Sequence, residues 1–118
     1  MARVETMNAQ DLRIIGECLN AALQGPFFPD WEFQTLMGFT REELAELAAV
    51  WPANADADDQ DDAVNNVLNM LLGYPLDQQR RWHEYISVSP REVAGVLARW
   101  RGESELDDSA KGFFDRFR

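Results

Sequence analysis

The sequence predicts an all-α protein, a compact single-domain bundle of five or six short helices. Apolar residues recur at helical spacing along most of the chain, and capping residues, glycines and prolines separate these stretches. Strand-like alternation is nearly absent, and its best candidate, residues 86–89, is too short to build a sheet. The 118 residues correspond to one ordinary domain. We expect a single helical domain over residues 1–118, with residues 103–118 as a loose or docking tail.

Two helices are predicted in the first third of the chain. The first covers residues 8–24, with Asn8 as the N-cap and Gly25 followed by Pro26 as the stop. A proline-framed aromatic loop, residues 25–30, comes next. Asp30 is predicted to cap a short helix over residues 31–37, and Gly38 is placed to end it, because glycine accepts a left-handed backbone.

A third helix is predicted to begin at Thr40, which has capping-box spacing to Glu43. Phe39 and Leu44 have the spacing of a hydrophobic staple. One face of this helix is apolar as far as Trp51. Pro52 should end the helix, because proline disfavours helical geometry in the residue before it.

Three further helices complete the predicted bundle. A loop over residues 52–59 leads into a helix that reaches residue 72, and loops over residues 73–75 and 87–89 flank a helix over residues 76–86. Ser89 and Pro90 open the last helix, which Gly102 closes. The predicted core consists of Leu12, Ile15, Leu19, Phe33, Leu36, Leu44, Leu47, Trp51, Val64, Val67, Leu68, Leu71, Trp82, Ile86, Val93, Val96, Leu97 and Trp100.

The net charge of −10 lies entirely in one half of the chain. Residues 1–62 carry three basic and thirteen acidic residues, whereas residues 63–118 carry eight of each. This sign opposes binding to phosphates or to an acidic membrane surface, so we expect no nucleic acid and no membrane as partners. A protein partner with a basic surface is permitted. Alternatively, the acidity only keeps the protein soluble.

No motif predicts a catalytic residue, a metal site or a cofactor. The lone histidine, His83, has no second histidine at zinc-protease spacing, and the lone Cys18 has no basic neighbour to activate it. The acidic run over residues 56–62 lacks the glycine and glutamate of a calcium loop in either register. A single cysteine allows no internal disulfide, and no apolar run suggests a signal peptide, so we expect a cytoplasmic protein.

Two aromatic clusters are either core or interface. Phe27, Phe28 and Trp31 belong to the first, and a triple-phenylalanine cluster near the C-terminus forms the second. Exposed aromatic side chains would serve as anchors for a partner, and nearby acids would steer a basic surface towards them. The candidate partner-binding residues are Phe27, Phe28, Trp31, Glu42, Glu43, Glu46, Asp58, Asp59, Asp61 and Asp62.

Three segments, GPFFPDWEF at residues 25–33, LMG at 36–38 and VLARWRG at 96–102, resemble a family of small uncharacterised bacterial proteins. The resemblance spans most of the chain and implies no function. Small acidic bacterial proteins of this kind include toxin-immunity proteins. This comparison is an analogy in size and charge.

Two functions remain open from the sequence. The first is a non-enzymatic acidic protein-binding module, for example an immunity-type inhibitor of a basic partner. The alternative is a small-ligand-binding protein or a carboxylate-dependent enzyme with a pocket between helices. A deep pocket holding a buried carboxylate of raised pKa would favour the alternative. The oligomeric state is open.

Overall fold

A computed structural model describes residues 3–53, 57–76 and 78–102 of the chain. Within these residues there are six α-helices, two 3₁₀ turns and no strand, which confirms the predicted all-α bundle of five or six helices. The helices are α1 (Ala9–Gln24), α2 (Asp30–Met37), α3 (Arg41–Ala49), α4 (Ala57–Gly73), α5 (Trp82–Tyr85) and α6 (Pro90–Trp100). The 3₁₀ turns are Arg3–Thr6 and Gln79–Arg81.

Helices α1 and α4 form the centre of the bundle. Helix α1 packs against α3, α4, α5 and α6, while α4 also packs against α2, α3 and α6. Both central helices therefore bury a continuous apolar stripe, as amphipathic helices in globular proteins do. On α4 this stripe is Val64, Val67, Leu68 and Leu71, all of which are buried as predicted.

The start and end of α1 are those that the sequence predicted. The Asn8 side chain accepts a hydrogen bond from the backbone N–H of Asp11 at 2.7 Å, which satisfies one of the unpaired donors at the helix start. The backbone N–H of Gly25 donates to the carbonyl of Ala21 at 2.8 Å and closes the last turn.

Helix α2 begins one residue earlier than predicted. Pro29 occupies the N-cap position and Asp30 is already helical, so the prediction that Asp30 caps this helix is wrong. Instead of capping the helix, the Asp30 carboxylate forms an ion pair with Arg41. Gly38 ends α2 as predicted, with a left-handed φ of 76°, and the Asn66 side chain donates to the Met37 carbonyl at 2.8 Å.

Helix α3 has the predicted capping box but is shorter than predicted. The Glu43 N–H donates to Thr40 Oγ1 at 3.1 Å, and the Thr40 N–H donates to Glu43 Oε1 at 2.8 Å. The helix ends at Ala49, before Trp51. Trp51 lies beyond the end of the helix, and its indole Nε1 donates to the Leu12 carbonyl of α1 at 2.8 Å.

The segment 76–86 is not the single helix that we predicted. Gln78 has a left-handed backbone with φ of 48°, which no α-helix accommodates, so the regular helix is confined to the four residues of α5. Ile86 then takes an extended conformation. Trp82 and Ile86 are nevertheless buried as predicted.

Helix α6 begins as predicted. Ser89 Oγ accepts from the Glu92 N–H at 3.3 Å, and Pro90 takes the first helical position. Gly102 has a φ of 77° just beyond the helix, as its predicted stopping role requires. The predicted tail over residues 103–118, with its phenylalanine cluster, lies outside the described residues.

Most of the predicted core is buried. Four members lie only partly buried at the edge of the core, namely Leu12, Leu36, Leu47 and Trp51. Several buried side chains were not in the predicted core, among them Ile14, Cys18, Ala21, Ala22, Phe27, Phe28, Met37, Ala63, Leu72 and Ala94.

Candidate functional site

The aromatic loop between α1 and α2 divides into core and surface. Phe27 is 0% exposed and packs edge-on against Tyr85 at a centroid distance of 5.6 Å. Phe28 is 4% exposed and packs on Tyr74 at 6.1 Å. Trp31, by contrast, is 80% exposed. Of the three aromatic candidates for a partner anchor, Trp31 is therefore the one that a partner can reach without opening the fold.

Trp31 is exposed because of its position on α2. The inward face of this short helix is set by Phe33 and Met37, which are four residues apart and buried. Trp31 lies on the other side, one turn before the exposed Gln34. Among the described residues, the other large apolar side chain with high exposure is Val50, at 52%.

An open cleft of about 300 Å³ lies between the starts of α2 and α3. Its lining residues are Asp30, Phe33, Gln34, Thr40, Arg41 and Glu42. Trp31 directly follows the lining residue Asp30, and Trp31 and Gln34 are helical neighbours on α2. Trp31 is not itself a lining residue of the cleft, and it lies next to the cleft along α2.

Arg41 holds the back of this cleft together. Its Nη1 donates to the Leu23 carbonyl at 2.8 Å and its Nη2 to the Phe28 carbonyl at 3.2 Å. Its Nε donates to Asp30 Oδ1 at 3.0 Å, and its guanidinium carbon lies 4.3 Å from the ring centroid of Phe33. All three nitrogens of this cation are thus engaged within the fold, at the C-terminal end of α1, where positive charge is favourable.

The acidic residues of α3 differ in whether their carboxylates form hydrogen bonds within the fold. Glu43 is exposed but accepts the capping-box hydrogen bond from Thr40. Glu42 and Glu46 are exposed, and neither forms a side-chain hydrogen bond or ion pair with the residues that the structure describes. These two carboxylates are the predicted site residues of α3 that are available to a partner.

The second group of predicted acids lies at the start of α4. The helix begins at Ala57, so Asp58 and Asp59 fall in its first turn. Negative charge is favourable there because the N-terminus is the positive end of the helix dipole. Residues 57–59, which we predicted as the end of a loop, are therefore helical. Asp58, Asp59 and Asp62 are exposed, whereas Asp61 is half-buried.

The buried carboxylate of the described fold is Asp11, and it is paired. Arg99 Nε donates to Asp11 Oδ2 at 3.0 Å and Arg99 Nη2 donates to Asp11 Oδ1 at 2.8 Å. The Asp11 side chain is 5% exposed and that of Arg99 is 39% exposed. This bidentate pair joins α1 to α6. Because Asp11 does not line the cleft, the cleft lacks the buried carboxylate that would favour an enzyme.

Ser87 is hydrogen-bonded to a carboxylate, whereas His83 contacts a backbone carbonyl. Ser87 Oγ lies 2.8 Å from Glu17 Oε1, and the Ser87 backbone N–H donates to the same oxygen at 2.7 Å. The Nδ1 of His83 lies 3.2 Å from the Ile86 carbonyl instead. The Ser87–Glu17 hydrogen bonds connect the loop after α5 to α1.

Cys18 is buried in the core with 0% exposure. Burial raises the pKa of the Cys18 thiol, and the neighbouring Glu17 carboxylate raises it further. Both effects oppose formation of the reactive thiolate. Cys18 therefore contributes to packing of the apolar core.

We expect Cys18 to react with a thiol reagent only when the fold opens. In the native protein at pH 8, labelling by an aromatic disulfide should be at least about 1,000-fold slower than in 6 M urea, since a small domain opens at a cost of roughly 5 kcal/mol or more. The measurement is the absorbance of the released thiolate over time. Rapid labelling without denaturant would contradict the burial of this side chain.

In the described part of the chain, no group of three or more His, Cys, Asp or Glu side chains is placed to hold a metal ion. Within the same ranges, no helix has both the length and the apolar character needed to cross a membrane. Arg81, which follows Arg80 in the chain, pairs with Glu84 at 2.9 Å, and this carboxylate offsets the positive charge of Arg81.

No protein-family model, curated protein or solved structure matches this chain. The resemblance to a bacterial family therefore stays a prediction, and the candidate site rests on the geometry of the chain itself. The cleft and the Arg41 network were not predicted. The signal available in the sequence was the position of Arg41, one of three cations in residues 1–62, directly after a helix cap.

Proposed function

We propose that this protein is a non-enzymatic binding module for a protein partner with a basic surface. The observation that carries the proposal is the exposure of Trp31, at 80%, in the half of the chain that holds the whole net charge of −10. Tryptophan is the residue type most enriched among energetically dominant interface positions. Removing the large apolar surface of tryptophan from water into an interface lowers the free energy, so a partner that covers Trp31 gains affinity.

The two kinds of residue contribute differently to such binding. The exposed carboxylates of α3 and of the start of α4 attract a basic surface over a distance of roughly 10 Å at 0.1 M salt. This attraction raises the association rate more than the final affinity. The affinity comes from desolvation of an apolar anchor, and Trp31 fills that role. An inhibitor that covers a basic enzyme, as immunity-type proteins do, is the specific form of this function.

The test begins with affinity capture from cells that produce the protein, followed by binding kinetics with the purified partner. We expect Trp31→Ala to lower the affinity for that partner at least roughly 30-fold, which corresponds to about 2 kcal/mol. Neutralising Asp58, Asp59 and Asp62 as Asn should instead slow association roughly three- to tenfold at low salt and leave dissociation unchanged.

A matched control separates local steering from total charge. Changing Glu103, Glu105 and Asp107 to their amides removes the same three charges from the other half of the chain. We expect this variant to associate close to the wild-type rate. The proposal fails if no partner is recovered, or if the partner binds Trp31→Ala and the aspartate variant as well as the wild type.

A further inference from the structure

The groups that the cleft between α2 and α3 can offer to a ligand are those that the fold leaves unused. Arg41 is not among them, because its three nitrogens already donate within the fold. The Glu42 carboxylate and the Gln34 side-chain amide have no such bonds to the described residues. The Asp30 carboxylate receives Arg41 at Oδ1 alone, and the side chain of Asp30 is 91% exposed.

The charge of the cleft selects the sign of its occupant. Two carboxylates, Asp30 and Glu42, oppose the single cation Arg41, so the lining residues carry a net charge of −1. An anion would have to displace the carbonyl partners of Arg41 and would face the unneutralised Glu42. A cation meets open acceptors without breaking any bond of the fold. The cleft therefore accepts a cation.

The size and shape of the cleft limit which kind of cation it can bind. A volume of about 300 Å³ is at the lower end of the range for small-molecule sites, which suits one side chain better than a larger metabolite. A guanidinium can form two parallel hydrogen bonds to a carboxylate such as Glu42 and can stack on an indole such as Trp31. An ammonium is more strongly hydrated and lacks the planar fork.

We propose that the α2–α3 cleft, with Trp31 beside it, is the docking site for an arginine side chain of the partner. This inference rests on the proposed function, since it identifies the group on the basic partner that the binding surface recognises. The guanidinium bonds to Glu42 and lies against the indole of Trp31, and the Gln34 amide oxygen provides a further acceptor.

The experiment is an NMR titration of the ¹⁵N-labelled full chain with N-acetyl-arginine N-methylamide, so that it needs no identified partner. We expect shift changes at the amides of Gln34, Thr40 and Glu42 and at the indole N–H of Trp31. Glu42→Gln should weaken the fragment roughly two- to fivefold, the range for a solvent-exposed ion pair. Glu46→Gln, the same change one turn later on α3, should leave the affinity unchanged.

Two further probes decide the assignment. The lysine analogue should bind more weakly than the arginine fragment, and inorganic phosphate should not shift these amides. Equal binding of lysine, a phosphate response at Arg41, or arginine-induced shifts confined to Asp58, Asp59 and Asp62 would each overturn the inference. If the wild type and Glu42→Gln, both with native spectra, bind the arginine fragment equally, the inference also fails.

Failure of the inference and failure of the proposed function are distinguishable. A captured basic partner whose affinity depends on Trp31 but not on Glu42 would uphold the binding module and overturn the arginine cleft. An arginine fragment that binds the cleft, in a protein that captures no partner, would uphold the site chemistry and overturn the proposed function.

Discussion

Phe27→Ala is expected to lower the free energy of unfolding by about 3–5 kcal/mol, the range for removing a fully buried phenylalanine. Phe27 is 0% exposed and lies edge-on against Tyr85, so its loss leaves a cavity between the loop before α2 and the segment that carries α5. The measurement is urea-induced unfolding followed by far-ultraviolet circular dichroism.

Trp31→Ala is the matched control for this experiment, because it truncates an aromatic side chain four residues away that is 80% exposed. We expect its unfolding free energy to stay within about 0.5 kcal/mol of the wild type. The pair separates an aromatic residue that stabilises the fold from one that is available for binding. A large stability loss in Trp31→Ala would mean that its indole packs on the protein.

Asp11→Ala is expected to destabilise the protein by about 2–4 kcal/mol. Breaking a buried ion pair costs roughly 3–5 kcal/mol when the remaining charge stays buried. Here the remaining Arg99 is 39% exposed, so water can solvate part of the guanidinium, and the expected loss is somewhat smaller. Asp11→Asn should lose less, because the amide oxygen keeps one acceptor for Arg99.

The control for Asp11→Ala is Glu5→Ala, which removes an exposed acid from the 3₁₀ turn that precedes α1. Its unfolding free energy should change by no more than about 0.5 kcal/mol. Thermal and urea unfolding of both variants provide the comparison. If the two variants lose equal stability, the bidentate pair contributes nothing beyond the removal of one negative charge.

The starts of α1, α3 and α6 were predictable because each depends on a few neighbouring residues. The Asn8 and Ser89 caps and the capping box at Thr40 form with bonds that span three residues, and such spacing is visible in a sequence. Asp30 shows the limit of this local argument. It is a good capping residue by type, but a tertiary ion pair with Arg41, eleven positions away, takes its carboxylate.

The candidate site was predictable only in part. The exposure of Trp31 and the burial of Phe27 could not be separated by sequence, because all these aromatics share one short loop and its helix. The cleft depends on Arg41 reaching carbonyls of Leu23 and Phe28, 18 and 13 positions earlier in the chain. Contacts over such separations follow from helix packing, which hydrophobic periodicity does not specify. Gln78, a non-glycine residue with a left-handed backbone, similarly gave no local signal of the break before α5.

The central position of α1 has a consequence for how the chain acquires its fold during synthesis. This helix is made early, yet it packs against α3, α4, α5 and α6, and its Asp11 bonds to Arg99, 88 positions later. The buried stripe of α1, which includes Ile14, Ile15 and Leu19, cannot be fully covered until α6 has left the ribosome. From the synthesis of α1 until that of α6, this stripe is therefore open to chaperones and to association with other nascent chains.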